Sequence, residues 1–185
     1  FEATDGFSSP RPLKKYCDFL IKTLGESVYN KIRGLFYSRE YADGVLAALE
    51  RRGIKCVTYF SDEYPDKLKS IPAPPLVLYC RGRTELLSSR CFGVVGSRRT
   101  LPNILKECKK ISGELSQKFT IVSGTADGAD TAAAEGALES GNIIMVCAQG
   151  LAHIYPAGSA KLYKDVAARG LIISEQRPSV PAYGY

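Results

Sequence analysis

From Leu76 onward, short apolar runs alternate with helical stretches, and that rhythm constrains the fold more than any other feature of the sequence. The runs are LVLYC (76–80), CFGVV (91–95), FTIVS (119–123), NIIMVC (142–147) and LIIS (171–174). Continuously apolar strands, rather than alternating ones, belong to sheets buried on both faces, and helices between them point to parallel crossovers. The intervening segments fit. Ile104, Cys108, Ile111 and Leu115 form a stripe at helical spacing, with Thr100 as a candidate cap and Pro102 in the first turn. Residues 129–138 are rich in alanine, which lets a helix lie close to a sheet. The expected fold class is α/β: a Rossmann-like parallel sheet with helices on both faces.

The chain before this pattern reads differently. Positions 12–24 and 39–52 are amphipathic, GIKCVTYF (53–60) reads as a short strand, and the proline-punctuated segment 61–75 reads as a connector with a short helix at 65–69. The expected domains are therefore a small, mainly helical N-terminal region, 1–60, and a Rossmann-like domain, 61–185. Cys17, Cys56, Cys80, Cys91, Cys108 and Cys147 form no CxxC pair, and several lie in apolar runs. This usage suits reduced core thiols, not a disulfide framework or a zinc site. No apolar run reaches the roughly 18 residues of a membrane span, and no signal-peptide pattern opens the chain. A cytoplasmic, non-membrane protein is expected.

Charge is unevenly placed. The formal net charge is +6, and the excess concentrates in residues 81–118, which hold nine basic and three acidic side chains. A local excess of this kind favours polyanions such as nucleic acid or nucleotides. Three strands end in loops of small or polar residues: GSRR (96–99), SGTADGAD (123–130) and AQGLAHIYPAGSAK (148–161). In an open parallel sheet, ligands collect at this carboxyl edge. Gly96, Ser97, Gly124 and Gly128 fit a phosphate cradle, with Arg98 or Arg99 supplying charge. The spacing is neither the dinucleotide G-x-G-x-x-G nor a P-loop, since no GK[ST] follows. Arginine in place of a second glycine suits a phosphate held by a guanidinium fork. The one histidine, His153, has no catalytic partner by motif. Asp127 and Asp130 flank Gly128 where carboxylates commonly cap a helix. No enzymatic activity and no cofactor are expected.

Five segments, in one order and at close spacing, carry a resemblance. They are YPDKLKSIPAPPLVLYCRG (64–82), VVGSRR (94–99), SGTADGADTAAAEGAL (123–138), GLAHIYP (150–156) and GLIISE (170–175). Over roughly residues 53–185 the chain resembles the DNA-processing protein A family, DprA, also called Smf. The resemblance implies an extended Rossmann-like domain that binds single-stranded DNA without a chemical reaction. It implies protection of incoming DNA in natural transformation, loading of the RecA recombinase, and a homodimer. The family's G-S/T-x-R loop matches Gly96, Ser97 and Arg98 or Arg99, with Arg98 preferred. Its S-G-x-A-x-G-x-D loop matches Ser123, Gly124, Ala126, Gly128 and Asp130. Its basic residue after the Y-P pair would be Lys161. The chain departs from the family at Ala134, often histidine, and at Ser159, often asparagine. The family's F-P-x-R-N-R segment and last strands would follow Tyr185.

Single-strand binders also stack bases on planar side chains, and Tyr155 and Tyr163 are the nearby candidates, against a plain packing role for both. The competing readings are a nucleoside monophosphate hydrolase and a nucleotide sensor or interaction module. The hydrolases carry P-G-G-x-G-T followed by a catalytic glutamate, where this chain reads AQGLAHIYPAG.

Overall fold

The structure, a computed structural model, describes residue 22, residues 25–27 and residues 39–182. Most of the amphipathic segment 12–24 lies outside them. Two compact units are distinguished, Phe1–Ala48 and Leu49–Tyr185. In the first, the helix α1 (Arg39–Glu50) begins; its Leu49, counted with the second unit, is buried.

The second unit is built on one mixed sheet. Its strands are β1 (Lys55–Thr58), β2 (Val77–Gly82), β3 (Cys91–Gly93), β4 (Thr120–Ser123), β5 (Ile143–Cys147) and β6 (Leu171–Ser174), in the order β1-β2-β6-β5-β4-β3. Strands β3 to β6 run parallel to one another, joined through α3 (Pro102–Leu115), α4 (Ala129–Ala137) and α5 (Ala160–Arg169). The α/β, Rossmann-like reading therefore holds, with one difference. β2 runs antiparallel to β6, and β1 antiparallel to β2. Geometry explains this. Gly82 pairs with Leu171 at the start of β6, and the chain must then reach the start of β3 at the far edge. Four strand spacings are roughly 19 Å, within reach of the short segment 83–90, which spans at most roughly 29 Å. A parallel β2 would end at the opposite edge and would need a long crossover. β1 also explains why residues 49–60 sit with the second unit, since its backbone pairs with β2.

Two apolar clusters cover the sheet. On one face Ile121, Ile143, Met145, Cys147 and Ile172 pack with Ala133, Ala134 and Ala137 of α4, with Leu162, Tyr163 and Val166 of α5, and with Cys108 and Leu115 of α3. The alanines allow that approach, as expected from their sequence. On the other face Val57, Leu78, Ile144 and Leu171 pack with Tyr64, with Leu68 of the short helix α2 (Asp66–Lys69), and with Leu86 and Leu87 of the 3₁₀ turn Thr84–Ser88. The α3 stripe is only half used: Ile104 and Ile111 are exposed. α3 follows the edge strand β3, so the side it turns away from α4 meets no further layer among the described residues. Its N-cap is Leu101 without a side-chain bond, not Thr100, whose hydroxyl donates to the Ser97 carbonyl.

Candidate functional site

The carboxyl ends of β3, β4 and β5 lie side by side, so the three loops singled out by their composition meet at one edge of the sheet. The first two are fastened together through the backbone. The Ser97 carbonyl accepts from the Ala129 amide at 3.1 Å, which occupies the first amide of α4 instead of leaving it for an anion. Gly128 caps α4 with φ +88°, and a Cβ there would strike the Ser97 and Arg98 carbonyls. A Cβ on Gly96 would lie 2.8 Å from the Ala129 Cβ, and one on Gly124 would strike the Asp130 carboxylate. Gly96 and Gly128 thus let two loops approach each other, while Gly124 leaves room for the Asp130 carboxylate of its own loop. Ser123 is buried, and its hydroxyl donates to the Val94 carbonyl at 2.7 Å, so it stitches β4 to β3 instead of facing a ligand.

Ser97 shapes the arginine loop. Its hydroxyl donates to the Arg99 carbonyl (2.9 Å) and accepts from the Arg99 amide (3.1 Å), a local turn that holds residues 97–99 in one conformation. Arg98 and Arg99 themselves are exposed, and among the described residues neither makes a side-chain hydrogen bond or an ion pair. Asp130 is therefore not the partner of Arg98, and neither Asp127 nor Asp130 caps α4. A fixed backbone carrying two unengaged guanidinium groups keeps its full donor set for an incoming anion.

The third loop, between β5 and α5, is held from beneath. The Tyr163 hydroxyl donates to the Tyr155 carbonyl (2.9 Å) and accepts from the Gln149 amide (2.8 Å), while Thr125 of the second loop also bonds to it. The Gln149 carbonyl accepts from Ser174 Oγ at 2.7 Å. Burial pushes the Tyr163 phenol above its ordinary range and the Cys147 thiol up to about 11, so both are neutral at physiological pH and Cys147 is no thiolate nucleophile. His153 Nε2 lies 3.0 Å from the Ser179 carbonyl, and the Ala152 and Gly150 amides donate to the Pro178 and Val180 carbonyls. The histidine thus helps hold the segment after β6 against this loop. Gln149 was not singled out from sequence; its signal was a polar residue two positions past the end of a buried strand. Lys161 stands at the start of α5 with its side chain 92% exposed, 3.2 Å from Asp165. It lines a groove of about 630 Å³ together with Gly158, Ser159, Asp127 and Thr131. No group of metal-ligating side chains occurs among the described residues.

This geometry can be set beside known proteins. The sequence model of the family named DNA recombination-mediator protein A matches residues 55–185. The chain belongs to that family. DNA processing protein DprA of Bacillus subtilis is 36% identical over 137 residues, covering 72% of this chain and 46% of that protein. Protein Smf of Synechocystis is 40% identical over 119 residues, covering 61% of this chain and 30% of that protein. The crystal structure of DprA from Streptococcus pneumoniae superimposes with a TM-score of 0.64 at 32% identity, over 72% of this chain and 48% of that one. DNA processing protein A from Helicobacter pylori, solved in a study of its single-stranded DNA binding mode, gives 0.62 at 32%, over 70% and 60%. The chain thus spans about half the length, or less, of the curated DprA and Smf proteins it matches.

Proposed function

We propose that this DprA-family chain binds single-stranded DNA through its phosphate backbone, without chemistry, at the carboxyl edge of the parallel strands. The observation that carries the reading is the pair of exposed guanidinium groups of Arg98 and Arg99, unpartnered among the described residues, on a loop fixed by Ser97 and α4. Phosphate contacts of this kind supply affinity and register without sequence information. Gly96 and Gly128 bring the loops together, and Lys161 adds a third charge after releasing Asp165. That release is cheap, since an exposed ion pair is worth about 1 kcal/mol or less. Family membership supports the biological setting: protection of DNA and loading of the RecA recombinase in transformation or recombination, by a homodimer in the cytoplasm. No helix among the described residues is long and apolar enough to cross a membrane.

The test is retention of a labelled single-stranded oligonucleotide, with product analysis, against nucleoside monophosphates. The oligonucleotide is expected to be retained at low salt and recovered intact. Turnover of a monophosphate, or binding of the mononucleotide with none of the oligonucleotide, would instead favour an enzyme or sensor.

A further inference from the structure

Two tyrosines flank the third loop, and the structure separates them. Tyr163 is buried and spends its hydroxyl on Gln149, Thr125 and the Tyr155 carbonyl. Tyr155 is 51% exposed, and among the described residues its ring and hydroxyl have no aromatic, cationic or hydrogen-bonding partner. An exposed aromatic residue alone is ordinary. This one differs in how its backbone is held. Its carbonyl is tied to Tyr163, whose hydroxyl also bonds Thr125, between the glycines Gly124 and Gly128 of the neighbouring loop. The start of the same loop is tied at Gly150, Ala152 and His153 to the segment 178–180. Just beyond Tyr155, Gly158 and Ser159 line the groove that also holds Lys161. The ring is thus presented at the edge that carries Arg98 and Arg99, on a backbone that needs no ordering when a ligand arrives.

We infer that the exposed ring of Tyr155 is a base-stacking platform for the single strand whose phosphates the arginine loop engages. The inference rests on the single-strand reading above. Every base offers a π face, so such a platform adds affinity with little sequence preference. Because the carbonyl of Tyr155 is already held, mainly the torsions of its ring remain to be fixed on binding. Tyr163 is a positioning residue here: it fixes the carbonyl of Tyr155 and is too buried to meet a base.

The experiment compares an ordinary single-stranded oligonucleotide with an abasic one of equal length, both with the full phosphate backbone. Tyr155→Ala is expected to weaken binding of the ordinary strand by roughly five- to a hundredfold, while the salt dependence keeps the wild-type slope. Tyr155→Phe is expected to restore most of the affinity. The penalty is expected to vanish on the abasic strand, which a merely structural role for Tyr155 would not produce. Because the chain contains no tryptophan, Tyr155→Trp supplies a single fluorophore at the proposed platform. Its emission is expected to be quenched by the ordinary strand and not by the abasic one, a readout that also decides the matter if the alanine variant folds poorly. Equal penalties on both strands, no penalty at all, or no base-dependent quenching would overturn the inference. Wild-type protein that binds neither strand would overturn the single-strand reading itself, whereas wild-type binding with an indifferent Tyr155→Ala overturns only the stacking.

Discussion

Gly128 shows what one residue does for the site. Its φ of +88° is a conformation that side chains avoid, and the Ser97 and Arg98 carbonyls occupy the space a Cβ would take. Gly128→Ala is therefore expected to cost about 1–3 kcal/mol of stability from the backbone alone. A further loss follows from displacing the arginine loop. Urea unfolding checks it: the midpoint should fall, with weaker oligonucleotide binding by the protein that remains folded. An unchanged midpoint would mean that the two loops are not packed as described. Arg98 is the opposite case. Nothing in the described structure leans on its side chain, so its removal should spare the fold.

At the scale of elements, the strands were legible because continuous apolar runs have few alternatives. LIIS at 171–174 and the runs at 120–123 and 143–147 are strands with nearly the boundaries their composition implies. Strand direction was not legible for β2, because an apolar run carries no sign of its orientation. That was set by the short path from Gly82 to Cys91. The α3 stripe was legible as a helix but not as half exposed, since periodicity marks an apolar face and not whether another layer covers it. Of the site, the sequence showed which loops and which charges. It did not show that Ser123 and the α4 amide are consumed between loops, because a serine or an amide reads alike whether it meets a ligand or a neighbouring carbonyl. The Gln149–Tyr163–Tyr155 arrangement was equally hidden, since its members come together only when α5 folds back on β5.

For the whole molecule, the buried thiols set a direction for alkaline stability. Burial holds Cys147 up to about 11 and Cys80 up to about 12, against an ordinary 9.0. Their folded values lie above their unfolded ones, so this stability is complete below pH 9.0 and is lost as pH rises toward the folded values. Between these limits the unfolded chain binds fewer protons than the native one. Each thiol should then cost about 1.4 kcal/mol per pH unit. Urea midpoints measured from pH 8 to about 11 should fall, and Cys147→Ala should flatten the fall. A level profile would show that these thiols are not buried. The central claim is that an unencumbered Arg98 grips a phosphate at the carboxyl edge of the sheet. Its most direct test is the affinity for single-stranded oligonucleotide across a salt series, for wild type and Arg98→Ala, with melting measured on both. The account expects equal melting temperatures and a loss of about 1.5–3 kcal/mol, or roughly one to two decades. The loss should be similar for all base compositions. The slope of log affinity on log salt should be shallower by about 0.7. Arg98→Lys should recover only part of the affinity. An unchanged slope with a lowered melting temperature would contradict the account and make Arg98 a structural residue.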